Sequence, residues 1–503
     1  MKIFISIVFV LMSLFFVGAS TYVDSGNVRF NIAKETVGAI TLYVRADGAD
    51  TNTCLADTSG GACLTIQAAL DKIPKNIKHA VTVNIGAGNF AGFSIIGFTV
   101  PRYLGTFTIQ GNLDAPTLST GTTSGTADGG SVSQCVHSTQ SWTVNELRGR
   151  LVYVNSEYRV IRTNNGTTLN LVGDLGATCS GKAYQIYEQK TIINSGSALY
   201  SSAGIVLTSN DSGRDKLIIQ NIAVTGRTLG IMAYNTDGLT IQQTKTTSNA
   251  YGIVFQSVWG ETLINDNYAA SNSGNGFTYS GVIGQVREVR EYAYSNTAYG
   301  FYIGYVKNYI YGTSIYSDNN GTGIWAGTSN AINFTDVYAE NNTSYGIVLE
   351  DTLFSYVTNI QANNNGGNGL QLIANTGAYI NSGTISGNTG YGIAAGDQSY
   401  SGNTQGGVHI RTVTVSTNTV GGILIAYGVA AIITGVTGSS TGYGLTLDSG
   451  ALAIVTSTTA VTGTLGNATI DAGSTVLTWV TDFATNGDAA VNDLTGARIL
   501  RKD

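Results

Sequence analysis

The second half of the chain repeats a short pattern of polar and apolar positions. Ten glycines, each followed by a branched or aromatic apolar residue, recur at intervals of 22 to 24 residues, with one longer interval of 30. Such a unit is too short for a helix pair or a βαβ unit, whereas one turn of a parallel β-helix needs about 20 to 25 residues. The spacing therefore predicts a stack of coils. The glycines are Gly230, Gly252, Gly276, Gly300, Gly323, Gly346, Gly369, Gly392, Gly422 and Gly444.

Two apolar positions in each unit predict columns of inward-facing side chains. Residues two apart lie on the same face of a strand, and neighbours in a column lie about 4.8 Å apart along the stack. The first column is Ile231, Ile253, Phe277, Phe301, Ile324, Ile347, Leu370, Ile393, Ile423 and Leu445. The second column is Ala233, Phe255, Tyr279, Ile303, Ala326, Leu349, Leu372, Ala395, Ile425 and Leu447.

A third recurring position is polar and lies four residues before the glycine. Asparagine tolerates a sharp corner, and its amide can bond to the asparagine above and below it. This pattern predicts a ladder of turn residues with a structural role. The ladder consists of Asn272, Asn296, Asn319, Asn342, Asn365, Asn388 and Asn418.

The segment before the repeats predicts an N-terminal cap. Residues 64–73 form the clearest helical pattern, with Leu64, Ala68 and Ile73 on one face, Thr65 as N-cap and Pro74 at the end. A short amphipathic helix here would cover the unpaired strand edges at the entrance of the stack. Residues 82–85 and 93–98 then alternate as strands and predict the first coil.

The succession of coils is interrupted at residues 112–192, where no glycine repeat is visible and the pattern predicts a small antiparallel β insert. Four cysteines allow three pairings, and we expect Cys54 to pair with Cys63 and Cys135 with Cys179, because each pair then closes a loop within one local unit. The surplus of the 30-residue interval predicts a protruding polar loop at residues 397–406. The tail, with Trp479, Phe483 and Ile499, predicts a C-terminal cap.

The first 19 residues predict a signal peptide: Lys2 precedes an apolar run over residues 3–17, and small residues follow. The alternative is a membrane anchor, for which this run is short. We therefore divide the chain into a signal peptide (1–19), a cap with the first coil (20–111), the insert (112–192), the coils (193–465) and a C-terminal cap (466–503). This division predicts a protein that is secreted or held at the cell surface, with no membrane association after cleavage.

Composition agrees with stacked strands and excludes one class of partner. Charged residues make up 11% of the chain, with 65 Gly and 3 Pro, which fits many tight turns and few chain breakers. The net charge is -6, and the 25 Lys and Arg residues are dispersed, so we expect no nucleic-acid binding.

The glycine and asparagine repeat resembles that of the pectate-lyase-like superfamily, which includes polysaccharide lyases, hydrolases and phage tailspike proteins. The N-terminal segments Tyr43-Val44-Arg45, Asp47-Gly48 and Thr65-Ile66-Gln67-Ala68-Ala69-Leu70-Asp71 resemble its capping region. The resemblance covers about residues 40–110 and 195–465. It implies an all-β fold, a right-handed single-stranded parallel β-helix with an N-terminal capping helix and a small β insert, and it leaves the activity open.

The family's chemistry offers two comparisons with this chain. Lyase members hold calcium with carboxylates and use Arg or Lys as a base, so calcium is the ion that the resemblance would imply, although no cofactor or metal ligand is assigned. Galacturonan hydrolases use acids in an Asn-Thr-Asp and an Asp-Asp segment, with a His between glycines. Asn235-Thr236-Asp237-Gly238 matches the first segment, but the chain has neither of the others. Asp237 is thus either a catalytic acid or a turn residue.

The densest ionisable cluster supplies the other catalytic candidates: Arg287, Glu288, Arg290 and Glu291. Asp266 precedes Arg290 by 24 residues, which equals the local coil length, so the two residues should stack and form a salt bridge. These groups could serve as acid, base or calcium ligands. The alternative is a surface ion-pair ladder of little energetic consequence.

Tyrosines immediately before alternate glycines form a candidate substrate-binding row of Tyr251, Tyr299, Tyr345 and Tyr391. Sugar faces could stack on such rings, or the rings could serve packing alone. Two functions follow from the pattern. One is a secreted protein that binds polysaccharide, with or without cleaving it by lyase or hydrolase chemistry. The other is a non-catalytic adhesin or spike-like rod. Either a monomer or a homotrimer fits the sequence.

Overall fold

The repeating units form consecutive turns of a parallel β-helix. The computed structural model describes residues 21–24, 27–30, 35–196, 202–212, 216–375, 377–396, 407–456, 460–464, 466–471, 474–478, 491–493 and 498–501. The predicted signal peptide, the predicted loop at 397–406, and Trp479 and Phe483 lie outside these residues. No helix in the described part of the chain is long and apolar enough to cross a membrane.

Two parallel sheets make up the sides of the helix. The long sheet has 24 strands in the described residues and supplies two successive legs of each coil, which meet at a corner. Its strands are Ile40–Val44, Val81–Ile85, Gly88–Ala91, Phe107–Gln110, Thr191–Ser195, Leu217–Gln220, Ile222–Thr225, Leu239–Gln242, Lys245–Thr247, Thr262–Asn265, Tyr268–Ala270, Val286–Val289, Tyr292–Tyr294, Tyr309–Asp318, Ala331–Glu340, Phe354–Asn363, Ala378–Ser386, Val408–Ser416, Ala430–Thr434, Thr437–Ser440, Leu452–Thr456, Ala460–Gly463, Thr475–Thr478 and Arg498–Arg501.

The short sheet supplies the third leg of each coil and has 14 strands in the described residues. They are Phe93–Ile96, Ala203–Thr208, Leu229–Tyr234, Tyr251–Gln256, Phe277–Ser280, Tyr299–Gly304, Thr322–Gly327, Ile347–Glu350, Leu370–Ile373, Tyr391–Ala395, Gly421–Ile425, Tyr443–Leu447, Gly466–Ile470 and Val491–Asp493. Two further pairs stand apart: Thr21–Asp24 with Asn27–Phe30, and Thr99–Val100 with Asp211–Ser212.

The register of the short sheet confirms both predicted apolar columns. Ile231 pairs with Ile253, which pairs with Phe277, and the same succession continues to Leu445. The second column is also in register, and both are buried in one apolar core that runs from Leu42 to Val476. Like side chains therefore stack on like, with Phe277 and Phe301 stacked at 4.7 Å between ring centroids.

The asparagine ladder is present, with one member wrongly predicted. The buried residue is Asn320, whereas Asn319 is exposed and takes a positive φ of 58°. The turn that follows this corner is one residue shorter than in the neighbouring coils, so counting back four from Gly323 reaches the wrong residue. The ladder also begins one coil earlier than predicted, because Asn249 N–H donates to Asn272 Oδ1 at 3.0 Å.

The capping helix spans Ile66–Asp71, and Thr65 Oγ1 accepts a bond from Ala68 N as predicted. The predicted apolar face was wrong at Leu64, which is exposed, whereas Ala68 is partly buried and packs against the core. Ile66, Ala69 and Leu70 are buried instead and belong to the core of the coils. The helix begins directly after the predicted cap, and Ile73, beyond its end, is buried as predicted.

An antiparallel sheet interrupts the coils, and the predicted disulfides are both present. Cys54 pairs with Cys63, and Cys135 pairs with Cys179 within the insert. The insert strands are Leu113–Asp114, Ser124–Thr126, Gly129–Gly130, Gln134–Val136, Leu151–Val154, Glu157–Asn164, Thr168–Leu171 and Ala183–Gln189. The domain boundaries remain our proposed division.

The insert docks on a column of tyrosines on the second leg of the coils. Its Leu151, Val160 and Val172 pack in one buried cluster with side chains of the coils that include Tyr292 and Tyr316. Charge contacts add to this apolar contact: Arg162 Nε donates to Asp318 Oδ2 at 2.8 Å, and Arg162 also pairs with Glu340. The insert therefore covers this side of the β-helix.

Candidate functional site

The predicted salt bridge between Asp266 and Arg290 exists, and it lies beneath the insert. Arg290 Nε and Nη2 donate to the Asp266 carboxylate at 2.8 and 3.0 Å. Burial raises the pKa of Asp266, and the Arg290 hydrogen bonds and charge partly offset this. Gly173 of the insert is so close that a Cβ there would lie 2.6 Å from Arg290 Cγ. The pair is a partly buried docking contact and not the exposed ladder that we expected as the alternative.

Glu288 and Glu291 point into the interior of the helix. Glu288 stands in the inward column between Ile264 and Gly312, and its two carboxylate oxygens have no hydrogen-bond partner among the described residues. Burial raises the pKa of Glu288 to about 7, although the nearby Tyr279 hydroxyl opposes this. Burial, together with the charge of Glu288, raises the pKa of Glu291 well above its usual range. Both carboxyl groups are sealed from solvent.

The space around the Glu288 side chain depends on residues of the two coils that follow. Gly312, directly above it, has no side chain, and a Cβ there would lie 2.6 Å from the ring of Phe334. Phe334 thus occupies the interior space that an ordinary residue at position 312 would need. A carboxyl group, a glycine and a phenylalanine share one section of a column that is otherwise mainly aliphatic.

Arg287, by contrast, is exposed on the outside of the long sheet. It lines a groove of about 350 Å³ together with Glu261, Gln285, Tyr311 and Asn333. The cluster predicted as catalytic is therefore divided among three environments: the outer surface, the interior and the contact with the insert. The structure brings only Asp266 and Arg290 into direct contact.

Asp237 lies in a turn between the two sheets. Asn235 and Gly238, on either side, have positive φ values of 48° and 53°, and Asp237 forms an isolated parallel bridge with Asp211. Burial and the neighbouring Asp211 raise the pKa of Asp237. No group of three or more His, Cys, Asp or Glu residues in the described part of the chain could hold a metal ion.

The predicted tyrosine row does not form a continuous platform. Tyr251 and Tyr345 are 41% and 39% exposed, while Tyr299 and Tyr391 are half-buried. Tyr251 covers a glycine of the next coil: a Cβ at Gly274 would lie 3.0 Å from its ring. Because these tyrosines recur on alternate coils, their rings are about 10 Å apart along the axis.

A second set of rings, which sequence analysis missed, lies on the outer surface of the long sheet. Tyr311, Asn333, Tyr356, Tyr379 and His409 are in register on successive coils. The rings of Tyr356 and Tyr379 stack at 4.9 Å with 5° between planes, and Tyr379 stacks on His409 at 4.6 Å. We call this surface the aromatic face, defined by Tyr309, Tyr311, Phe354, Tyr356, Tyr379 and His409.

The rings of the aromatic face are open to solvent and flank a cavity. Tyr309, Phe354 and Tyr356 are 50%, 52% and 46% exposed. They line a cavity of about 290 Å³ that also touches Tyr311 and Asn333, the two residues shared with the Arg287 groove. The aromatic face and the groove are thus continuous. Such adjacent exposed rings are unusual for a surface that contacts only water.

Two arginines border the aromatic face. Arg287 is the register neighbour of Tyr311 on one side, and Arg411 lies two residues beyond His409 on the other. Arg287 and His409 are five coil steps apart, which corresponds to about 24 Å. Rings in the middle and a guanidinium at each end can together contact an extended ligand with apolar faces and acidic groups.

A signal for the aromatic face was available in the sequence. Asn333, Tyr356 and Tyr379 each follow a repeating glycine by ten residues, and Tyr311 follows its glycine by eleven. These residues lie on the first leg of the following coil and not on the strand directly after the glycine, which carries the two predicted columns.

Residues 291–437 match a protein family described as "Right handed beta helix region". This agrees with the predicted handedness and with the coils described above. No curated protein sequence matches the chain.

Solved structures that are similar to this chain include three proteins. The A-module of mannuronan C-5 epimerase AlgE6 from Azotobacter vinelandii has 13% identity and a TM-score of 0.34, with 87% of this chain and 94% of that chain covered. The tailspike protein gp49 from Pseudomonas phage LKA1 has 12% identity and a TM-score of 0.28, covering 89% and 74%. The Gp54 tailspike of Acinetobacter baumannii bacteriophage AP22, in complex with capsular saccharide, has 10% identity and a TM-score of 0.22, covering 82% and 74%.

Proposed function

We propose that this parallel β-helix protein binds an acidic polysaccharide along the aromatic face. The observation that carries the proposal is the in-register stack of Tyr356, Tyr379 and His409, solvent-accessible on the outside of a rigid sheet. Sugar rings have apolar faces that pack on aromatic side chains, and a stack of coils repeats such contacts along one axis. An extended polymer laid along the axis would contact several rings at once.

Acidic sugars are favoured over neutral ones by the arginines at the two ends of the face. The guanidinium groups of Arg287 and Arg411 are exposed and can donate paired hydrogen bonds to carboxylates of the polymer. Groups of this kind at the rim of a binding surface contribute more to selectivity than to affinity.

Binding without cleavage is the role that the positions of the acids support best. Glu288 and Glu291 are buried inside the coils, and Asp266 is paired with Arg290 beneath the insert. A general acid or base must come within hydrogen-bond reach of the bond that it helps to break. These three carboxyl groups cannot do so on the aromatic face, and Glu261 is the one acid among the described residues that line its cavity and the adjoining groove, whereas glycoside hydrolysis usually takes a pair. This favours a non-catalytic surface or appendage protein that recognises polysaccharide.

We place this role outside the cell. Two disulfides join all four cysteines, and such bonds persist in oxidising compartments. The predicted signal peptide would provide the route of export.

The proposal is tested by affinity gel electrophoresis of the full chain in polygalacturonate, alginate, xylan and dextran. We expect retardation in the two acidic gels, and at least about a tenfold weaker Kd for the double variant Tyr356→Ala/Tyr379→Ala. Tyr251→Ala/Tyr345→Ala removes two rings of similar exposure from another side of the coil and should bind as the unmodified protein does. Absence of retardation in every gel, or equal loss in both double variants, would refute the proposal. Release of reducing ends or unsaturated sugars would refute the non-catalytic part.

A further inference from the structure

A second cavity lies at the N-terminal end of the coils, where three parts of the chain meet. Its volume is about 410 Å³, within the range of small-molecule sites. The first coils contribute Asn84, Gln110 and Asn221, and the insert contributes Tyr158 and Tyr187. We call it the insert cleft. Neither the sequence repeats nor the aromatic face accounts for it.

The carboxamide of Asn221 is the most informative group in the insert cleft. Asn221 is 8% exposed, and its Oδ1 is buried and receives no hydrogen bond from the described residues. Leaving a buried acceptor unpaired costs about 1–3 kcal/mol, so a ligand that donates a hydrogen bond here would relieve an existing penalty. The group belongs to a fixed corner: Asn221 has a φ of 61°, and its carbonyl packs against Gly111, where a Cβ would lie 2.2 Å from it.

A ladder of glutamines orients a second polar group. Gln220 Nε2 donates to Gln110 Oε1 at 3.0 Å, and Gln242 donates to Gln220 in the same way. In this ladder the side-chain oxygen of Gln110 already accepts a hydrogen bond, and its amide N–H groups have no acceptor among the described residues. The insert cleft is thus lined by an amide donor of Gln110 and by Asn221, whose buried carboxamide oxygen lacks a donor.

The wall formed by the insert is aromatic. The rings of Tyr158 and Tyr187 lie 5.9 Å apart, and Tyr158 also contacts Tyr153 at 4.8 Å. Each ring offers an apolar face with a hydroxyl at its end, which is the combination that packs on a sugar ring and bonds to its hydroxyls.

The charges around the insert cleft favour an uncharged ligand. Asp57 is the only Asp, Glu, Lys, Arg or His residue in its lining, and Arg45 donates to Asp57 Oδ1 at 3.1 Å. No basic residue among the described lining residues would compensate the charge of a uronate or a phosphate. This distinguishes the insert cleft from the aromatic face, which has an arginine at each end.

We infer that the insert cleft is a second binding site, specific for a neutral, hydroxyl-rich saccharide unit. It lies on the same outer side of the long sheet as the aromatic face, because Asn84, Gln110, Gln220, Gln242 and Asn265 are in register with the column that reaches Thr313. Asn84 and Thr313 are six coil steps apart, or about 29 Å. The inference does not depend on ligand binding at the aromatic face.

Two substitutions test the insert cleft without straining the backbone. Gly86 lines the cavity at an ordinary φ, and a Cβ there would meet its nearest neighbour, Val44 O, at 3.5 Å, so Gly86→Met can fill the cavity. Asn221→Gly removes the unpaired carboxamide and keeps a residue that tolerates positive φ. Circular dichroism and thermal unfolding of both variants establish that they fold.

The probes are maltotriose, cellotriose and xylotriose, with trigalacturonate as the charged counterpart. Saturation-transfer NMR and calorimetry on the full chain detect their binding. We expect at least one neutral trisaccharide to bind, with about tenfold loss in each folded cleft variant and no change in Tyr356→Ala/Tyr379→Ala. Trigalacturonate should not compete for the site. The inference is overturned if no neutral trisaccharide binds at millimolar concentration, or if Gly86→Met and Asn221→Gly bind as the unmodified protein does. It is also overturned if the tyrosine variant alone loses binding.

Discussion

The Arg290 guanidinium donates two hydrogen bonds to the carboxylate of Asp266, which occupies the corner of the preceding coil. Their separation in sequence equals the local coil length, and their side chains meet because the stack repeats in register. Asp266 is almost fully buried, whereas the Arg290 side chain is 22% exposed. The contact therefore links two coils and supports the insert above them.

Arg290→Ala should destabilise the protein by about 3–5 kcal/mol, because it leaves the Asp266 charge buried without a partner. Denaturant unfolding measures this effect. Arg287→Ala, three residues away, removes an exposed guanidinium of the same size and should change stability by less than about 0.5 kcal/mol. Similar values for the two variants would show that the buried pair does not stabilise the folded protein.

Glu288→Gln should make the protein more stable at pH 8 and leave it unchanged at pH 4. In the folded state burial raises the pKa of Glu288 to about 7 from the usual 4.5, so the folded protein holds a proton that the unfolded chain releases. Stability from this group is full below pH 4.5 and is lost as the pH rises to about 7. The gain at pH 8 should be about 3 kcal/mol.

Thermal unfolding from pH 4 to pH 8 measures that dependence. Asp351→Asn is the control, because Asp351 is exposed in a turn and has a positive φ that asparagine tolerates. A pH-independent difference between Glu288→Gln and the unmodified protein would contradict a buried, titrating carboxyl group.

Asn320→Ala should cost at least about 2 kcal/mol, because it removes the acceptor for a buried backbone N–H. Asn320 Oδ1 accepts from Asn296 N and Nδ2 at 2.8 and 2.9 Å, and its own Nδ2 donates to Ala293 O at 3.2 Å. Asn319→Gly is the matched control at the exposed neighbour with positive φ. Chemical denaturation compares the two variants, and equal losses would mean that the ladder contributes no stability of its own.

Arg287→Gln should weaken binding of polygalacturonate by up to about fivefold and leave dextran unaffected. The loss should shrink at high salt, since an exposed charge pair is screened. Lys182→Gln, which removes an exposed charge from a turn of the insert and lines neither the groove nor the cavity of the aromatic face, should have no effect. Titrations at two salt concentrations measure both variants, and an unchanged affinity for Arg287→Gln would exclude it from the binding surface.

Periodicity predicted most of the coil architecture, because each coil must place apolar side chains at the same inward positions. The columns headed by Ile231 and Ala233 and the Asp266–Arg290 pair depend only on a count of residues per coil. Counting failed where the coil length changed locally, as at Asn319, where a shortened turn moved the ladder to the next residue.

Contacts between distant segments could not be obtained from the repeat. The insert buries Asp266 and the tyrosine column, and this brings together residues more than 100 positions apart in sequence. One example is the hydrogen bond from Gly173 N to Tyr316 OH. The inward orientation of Glu288 contradicts the usual preference of a carboxyl group for solvent, so no polarity pattern indicates it. The rings of the aromatic face repeat on a different strand of each coil from the strand that carries the glycine pattern.

The section of core shared by Glu288, Gly312 and Phe334 affects how this chain could change its length over evolution. Most coils fill the core with aliphatic side chains of similar size. When one such coil is duplicated or deleted, its neighbours therefore still pack against a layer of the same shape. A copy or loss between residues 288 and 334 would instead place the carboxyl group or the ring against a neighbour of the wrong size. We expect gains and losses of coils among descendants of this gene to avoid that interval.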